Sequence, residues 1–457
     1  MIPPIERLPY DPLAAAPRGL DTLPLVLHLL GLYLAVPLVL PGGIEFPMAA
    51  TLITVPLLLV LNAPRARLSH VVWLGGLAGV AALTLLLAPQ PGAFLAPRLR
   101  GLVLWVYSLV CAYALILELQ RWPREQLARL MLGATLAVLA GCVLEIVGLL
   151  RPLSDGFRNL AFPAGAVTFR ARDLEIAGFE RPSLFTSEPS DVAKFLLLSS
   201  SAYVALSTSR WRHLTGLGLC LAATALTRSP IAVLLIPLQA LLLAFGRPLI
   251  AGPRLVSRPI TTVVLLVTGV LAAAFVAVLL AGRIQQALEG RDSSSTIRLV
   301  VPVVIAWETL NASPWWGAGI SGTESIEDSI VLGFEVAGIA SLADPEAMDS
   351  EASLANLINN AFWLHWINLG LLGGLIAIIL LAGLMRALGI RRRWLAFAAV
   401  FVFAQTMGGA HAPYFWTFVA MVMGLVWHLD RTGALELRRP GPAEEAIGLQ
   451  EPASPGV

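Results

Sequence analysis

Apolar residues occur along this chain in unbroken runs of about 20, the length that a helix needs to cross roughly 30 Å of hydrocarbon. Inside a bilayer every backbone hydrogen bond has to be made within the protein, and a helix meets that demand by itself. The runs are too long and too continuous for the strands of a membrane barrel. The pattern therefore predicts an all-α polytopic membrane protein.

Runs bounded by proline, glycine and charged residues predict about 12 transmembrane helices. An excess of arginine and lysine marks the cytoplasmic loops of membrane proteins, and here arginines concentrate in alternate connections between the runs. An even number of spans with both termini in the cytoplasm fits that distribution. The predicted spans lie near residues 22–40, 47–62, 70–88, 101–119, 130–149, 191–207, 213–227, 229–246, 260–281, 357–385, 394–410 and 412–429.

This orientation divides the chain into segments. A cytoplasmic N-terminal segment, 1–21, precedes the transmembrane domain, 22–429, and a disordered cytoplasmic tail, 430–457, follows it. Two long loops are predicted on the outer side, at 150–190 and at 282–356, and the second is a large loop between spans 9 and 10. The first residues lack the charged start and short apolar stretch of a cleavable signal peptide, so none is predicted.

Composition agrees with membrane insertion, since 57% of the residues are hydrophobic, only 13% are charged and the mean hydropathy is +0.79. Lys194 is the only lysine, so an anion site would be built from guanidinium groups, which suit bidentate phosphate binding. The net charge of +2 says little, and no nucleic-acid partner is predicted. Cys111, Cys142 and Cys220 fall inside predicted spans and are expected to be buried apolar residues without disulfides.

One stretch departs from the apolar pattern. Charged residues crowd the segment from Phe169 to Phe195, just before and within the start of the sixth predicted span. Charges beside a membrane span are costly unless water, a partner or a substrate compensates them. This segment is therefore the first place to look for chemistry.

Four arginines are predicted on the outer face: Arg181, Arg228, Arg291 and Arg298. If they converge above the bundle, they would bind a phosphate or pyrophosphate through charge-assisted bidentate hydrogen bonds. Alternatively, each arginine caps a helix end or extends to the lipid headgroups.

Glu188 lies in the sequence SEPSD, which is typical of a helix start, with Ser187 as the N-cap and Pro189 in the first turn. A carboxylate at that position is stabilised by the helix dipole. Glu188 is equally a candidate base, or a hydrogen-bond acceptor for a sugar hydroxyl. The sequence leaves both interpretations open.

Two asparagines and two histidines supply further candidates. Asn359 and Asn360 open the tenth predicted span, and Trp363 and His365 follow just inside it. A tryptophan at that depth belongs either to the interface belt or to a platform that stacks on a sugar. An ionisable group within a span, such as His365, is a functional candidate. His411, in a short outer turn, is the second histidine candidate.

The glycine-rich turn SPWWGAGISG, at residues 313–322, follows no predicted strand and is therefore not a nucleotide loop. The chain has no Walker sequence, no Asp-x-Asp-like metal site and no HExxH motif. No metal and no cofactor are predicted, and glycosyl chemistry here would need a lipid-linked donor.

Four segments taken in order resemble the superfamily of O-antigen ligases and O-antigen polymerases, which are bacterial envelope glycosyltransferases. They are RPSLFTSEPSDVAKF, ALTRSPIAVLL, the run from Ser295 through Arg298 to PWWGAGISG, and NNAFWLHWINLGLLGGL. The resemblance covers roughly residues 180–385. Ligases of this family carry a histidine where this chain has Asn359, and that departure favours the polymerase branch.

The resemblance implies a metal-independent, GT-C-like transferase in the bacterial inner membrane, with a periplasmic active site. It would move a growing glycan from undecaprenyl pyrophosphate to a lipid-linked repeat unit, with membrane lipid around it. A protein that regulates chain length would be a further partner. The implied catalytic residues are Arg181, Arg298, Glu188 and His365, and the implied substrate-binding residues are Arg228, Arg291, Asn359, Asn360, His411 and Trp363.

Two alternatives stay open. Within the class, the chain would be an O-antigen ligase or a protein O-oligosaccharyltransferase. From another class, it would be a secondary transporter or a flippase for lipid-linked glycans. A transporter is expected to have broken helices and charges near mid-span. Here Glu118 and Glu145 lie near the ends of predicted spans and Glu45 lies in a turn, which favours the transferase.

Overall fold

The structure is a computed structural model, and most of the residues that it describes are helical. It contains thirteen α-helices and one small hairpin within those residues. The described residues are 22–40, 44–90, 92, 94–162, 173–174, 178–209, 211–229, 231, 296–298, 300–338, 358, 360–409 and 412–436, without the side chains of residues 40, 44, 45, 323, 324 and 432–436.

The helices are α1 (Leu23–Leu34), α2 (Thr51–Asn62), α3 (Leu68–Leu87), α4 (Leu95–Arg121), α5 (Arg124–Ile146), α6 (Arg151–Ala161), α7 (Pro189–Leu206), α8 (Arg212–Thr227), α9 (Val301–Ala312), α10 (Glu327–Val336), α11 (Ala361–Ala387), α12 (Arg393–Ala404) and α13 (Pro413–Glu436). The antiparallel hairpin pairs β1 (Leu38–Leu40) with β2 (Ile44–Phe46) and places Val39 opposite Glu45. Single 3₁₀ turns cover Ala63–Arg65 and Thr323–Ile326.

The apolar helices indicate a membrane-embedded protein. Four of them, α3, α4, α5 and α11, are long and apolar enough to cross a bilayer. Helices α1 and α12 are apolar but shorter, and so is the stretch Thr51–Arg65, which includes α2. The prediction of a mostly helical membrane protein is therefore confirmed. The spans predicted at 229–246 and 260–281 fall almost wholly outside the described residues, as do the N-terminal segment 1–21 and the end of the tail.

Two helices give the bundle a direction. Helices α4 and α13 pack side by side and run the same way: Trp105 meets Trp416 with ring centroids 5.3 Å apart, and farther along His428 Nε2 lies 2.9 Å from the carbonyl oxygen of Leu119. We call the end at which α4 and α13 begin the site end, and the other the opposite end. The three cysteines are free and buried, as predicted.

The opposite end holds its own polar contacts. Asn62 of α2 donates to Glu118 of α4 at 2.6 Å, and Glu118 also accepts from Trp122 at 2.8 Å. Asp430 Oδ2 accepts the backbone N–H groups of Arg391 and Arg392. That carboxylate ties α13 to the start of α12, and α13 continues to Glu436, past the predicted boundary at residue 429.

Helix α11 is broken at Gly370, which has φ 68° and ψ −175°. The glycine-rich loop after α9 enters the break: Ala318 donates its N–H to Ile367 O at 2.8 Å, and Leu371 N donates to Pro314 O at 2.8 Å. The polar ends of both half-helices are thus paired with the loop backbone. A side chain at Gly317 would collide with Ile367 O, so this glycine permits the close approach.

Candidate functional site

The segment that precedes α7 is held by α5 and α6 at the site end. Glu145, near the end of α5, accepts the backbone N–H of Leu184 at 2.6 Å and forms an ion pair with Arg151 at 3.2 Å. Arg151 also donates to the carbonyl oxygen of Glu180 at 3.0 Å. Because Glu145 is buried, its charge needs these partners.

Arg158 of α6 fastens the same segment farther along, donating to Thr186 O at 3.0 Å and to Ser187 O at 3.1 Å. Its own exposure is 2%, so the arginine acts as an internal brace for backbone carbonyls. Glu145, Arg151 and Arg158 together fix the path of the chain into α7.

Two consecutive residues of this segment, Leu184 and Phe185, have left-handed backbone angles, with φ of 35° and 67°. For residues with a side chain this conformation costs roughly 1–2 kcal/mol each. The surroundings offset the cost: Phe185 N donates to Ser154 Oγ at 3.0 Å, and Tyr33 OH donates to Leu184 O at 2.8 Å. Gly141 of α5 leaves the space that the Leu184 side chain fills.

Arg181, a predicted catalytic residue, is already paired. Its Nε lies 2.6 Å from Asp173 Oδ1, and its backbone N–H donates to Asp173 Oδ2 at 3.3 Å. Both side chains are buried, and the carboxylate neutralises the guanidinium charge. This contact gives Arg181 a structural role and leaves only its Nη groups for a ligand.

Glu188 is the N-cap residue of α7, one position later than the predicted Ser187. Its side chain does not cap the helix; it accepts from Ser190 Oγ and lies 3.7 Å from Lys194 Nζ. The Glu188 side chain keeps 33% exposure, whereas that of Asp191 keeps 12%. Glu188 is therefore a carboxylate that a ligand can reach.

Lys194 lies at the centre of this cluster, although it was not among the predicted site residues. Its Nζ lies 2.9 Å from Asp191 Oδ1 and sits 6.0 Å above the ring centroid of Tyr414, at the start of α13. Ser187 Oγ donates to the other Asp191 oxygen at 2.6 Å. One lysine faces two carboxylates, so the cluster holds more hydrogen-bond acceptors than cations and suits hydroxyl groups better than anions.

Arg228 and Arg298 both lie at the site end, and their contacts differ. Arg228 ends α8 in a left-handed conformation, and its guanidinium carbon lies 6.0 Å from the ring centroid of Phe179, two residues before Arg181. The carbonyl oxygen of Arg298 accepts a hydrogen bond from Asn360 Nδ2 at 3.0 Å. Arg298 is half-buried, and within the described residues its guanidinium makes no hydrogen bond or ion pair.

Asn360 is the N-cap of α11, and its Oδ1 accepts the backbone N–H of Trp363 at 3.3 Å. Its Nδ2 also donates to Gln405 Oε1 at 3.1 Å, in the connection between α12 and α13. The side chain is fully buried, so in this conformation it joins three segments and does not face a ligand. Trp363 is partly buried, with its ring 5.1 Å from that of Phe362.

His365 spans the break in α11, with Nε2 3.1 Å from Gly374 O and its ring edge-on to Trp366. The His365 side chain therefore fills the kink in α11. Three other predicted substrate-binding residues, Arg291, Asn359 and His411, lie outside the described residues.

Sequence reasoning missed Arg98, in the first turn of α4. The side chain is fully buried and its Nη2 donates to Pro89 O at 2.7 Å and to Ala318 O at 2.8 Å. A Cβ at Gly319 would stand 3.0 Å from Arg98 Nε, whereas one at Gly322 would collide first with Ala318 O. An arginine so close to the predicted start of a span was the available signal.

Among the described residues at the site end, most positively charged side chains bind groups of the protein itself. Arg98 and Arg158 hold carbonyls, and Arg181 holds a carboxylate. The Glu188 carboxylate is partly exposed, and Arg298 is half-buried. Comparison with protein-family models and with curated proteins found no match to this chain.

Proposed function

We propose that this protein is a metal-independent glycosyltransferase that uses a polyprenyl-pyrophosphate-linked donor. The growing glycan would pass from undecaprenyl pyrophosphate to a hydroxyl of a lipid-linked repeat unit, at the periplasmic face of a bacterial inner membrane. The proposal includes the twelve-span, GT-C-like architecture with both termini in the cytoplasm. The proposed activity follows the resemblance of the four segments to O-antigen polymerases.

One observation carries the proposal: the four family-like segments meet at one end of the bundle. Phe179, just before the first segment, contacts Arg228 of the second. Ala318 of the third pairs with Ile367 of the fourth. The connection after α12 and the first turn of α13 link the two pairs: Gln405 accepts a hydrogen bond from Asn360, and the Tyr414 ring lies 6.0 Å from Lys194 Nζ. Segments far apart in the sequence are thereby brought to one surface.

In this proposal Arg298 stabilises the negative charge that develops on the departing pyrophosphate. Preorganised donors aimed at such charge are among the largest contributions to catalysis, and removal of one costs about 100-fold or more in rate. Glu188 would accept the proton of the attacking hydroxyl, within reach of Lys194. Arg181 would act mainly by holding the segment that presents Glu188.

The test is deletion of the gene followed by gel analysis of the envelope glycans. Single repeats on the envelope support the polymerase, and long lipid-linked chains without surface attachment support a ligase. Complementation with Arg298→Ala should leave short chains at normal protein levels. Arg129→Ala, an exposed arginine of α5 toward the opposite end, is the matched control and should restore full length.

The break at Gly370 is a specific observation in favour of the second candidate, a transporter or flippase for lipid-linked glycans. Broken helices in transporters leave half-helix ends free for substrates and ions. Here those ends are paired with the loop backbone at Pro314 and Ala318, which is why we rank the transporter second. Unaltered glycans on deletion, or normal chains with Arg298→Ala, would overturn the transferase proposal.

A further inference from the structure

Helix α6 is amphipathic with its polar face turned inward. Ser154 is fully buried and Arg158 keeps 2% exposure, and both bind the segment that leads into α7. Arg151, one turn before Ser154, reaches the carbonyl oxygen of Glu180. These residues recur at three- and four-residue intervals and therefore share one face of the helix.

The outward face carries a line of leucines. Leu153 is 63% exposed and Leu160 81%, and their spacing of seven residues places both on one side of α6; Leu149, 72% exposed, lies in the turn just before the helix begins. Single exposed leucines are common on soluble proteins, but a contiguous stripe marks an interaction surface. The polar side chains of α6 lie on its buried face, so the exposed leucines are suited to an apolar partner.

The stripe continues the outer surface of α5. Leu136 is 51% exposed, Val143 45% and Val147 62%, at intervals that lead along α5 toward α6. Helix α5 is one of the four long enough to cross a bilayer, and α6 begins five residues after it ends. Exposed apolar side chains thus occur on the outer side of the candidate span α5 (Leu136 and Val143), in the turn (Val147 and Leu149) and on α6 (Leu153 and Leu160).

We propose that α6 lies in the plane of the membrane at the site end, with Leu149, Leu153 and Leu160 inserted at the boundary between headgroups and acyl chains. The occupant of this face is phospholipid. Because the inward face of α6 holds the segment around Leu184, the bilayer surface sets the depth of the candidate site. The proposal does not depend on which reaction the protein performs.

Insertion rests on apolar contact and not on charge, since Arg151 and Arg158 both point inward. Interfacial helices of this kind bury their apolar face about 5–10 Å into the boundary. Nitroxide labels can measure that depth on the intact protein. Variants Leu153→Cys and Leu160→Cys would be made after replacement of the three native cysteines, which are buried. The labelled protein is placed in phosphatidylcholine nanodiscs.

Both labels should collide more with oxygen than with a water-soluble nickel chelate, at a shallower depth than the lipid-facing reference Leu136→Cys. Thr208→Cys, exposed in the connection between α7 and α8, is the aqueous reference. Higher nickel accessibility at both α6 positions would overturn the proposal. So would shielding from both reagents, because a protein segment would then cover the stripe. A depth that changes when anionic lipid is added would equally contradict an apolar anchor.

Discussion

Ala318 donates its backbone N–H to the carbonyl oxygen of Ile367 at 2.8 Å, and this bond joins the glycine-rich loop to the break in α11. The two residues belong to two of the four segments that resemble a glycosyltransferase family. This contact explains one glycine in each segment. Gly370 turns the helix, and Gly317 lets the loop come close enough to fill the gap.

Substitution of Gly370 by alanine should therefore destabilise the protein by about 2 kcal/mol or more, since it combines a left-handed φ with a clash. The added Cβ would overlap the backbone of Trp315 and Trp316. Thermal unfolding in detergent, followed by tryptophan fluorescence, measures the loss. Gly79→Ala on α3 is the control, because nothing lies within 4 Å of its Cβ position. Equal melting temperatures for the two variants would mean that the break is not required.

The buried ion pair of Arg181 and Asp173 predicts a loss of stability when either partner is removed alone. Breaking a buried pair leaves an uncompensated charge and costs about 3 kcal/mol. The double variant Arg181→Ala/Asp173→Ala should recover part of that loss, with a coupling energy of about 1–3 kcal/mol in the double-mutant cycle. Arg298→Ala should change stability little. If Arg181→Ala leaves stability intact, Arg181 does not brace the segment.

The sequence predicts the long helices but not the contacts between distant positions at the site end, for physical reasons. Apolar length alone identifies α3 and α5, because hydrocarbon thickness sets it. The first span was expected over 22–40, but α1 ends at Leu34, where Ala35 turns left-handed before the hairpin. A short local pattern does not reveal such a turn.

The site depends on contacts between distant positions. Arg98 binds Ala318, 220 residues away, and the left-handed Leu184 is held by Glu145 of α5. Local preference argues against a left-handed leucine, and tertiary bonds override it. Ser187 was expected to cap α7 because serine is a favoured N-cap, yet its hydroxyl binds Asp191 instead.

A variant of Asn360 can separate its capping of α11 from its hydrogen bonds to Arg298 and Gln405. Aspartate caps a helix as well as asparagine does, so Asn360→Asp preserves the bond to Trp363 N. It replaces the donor that faces Arg298 O and Gln405 Oε1 by a buried acceptor. We expect a loss of about 2 kcal/mol or more, against about 1 kcal/mol for an exposed cap lost to alanine. Chemical denaturation of Asn360→Asp measures the loss, and an Asp variant as stable as the parent would contradict the prediction.

Lys194 permits a measurement that most proteins do not allow. As the only lysine, it is the one side chain that an amine-acetylating reagent labels, and peptide mass spectrometry separates it from the chain terminus. It is 7% exposed and bound to Asp191, so acetylation of the folded protein should be slow. Asp191→Asn should speed labelling by about tenfold, because a hydrogen bond to a charged group contributes about 1.5 kcal/mol or more. Glu188→Gln, at the longer distance of 3.7 Å, should change the rate less. A rate that is the same in the parent and in Asp191→Asn would mean that Asp191 does not hold Lys194.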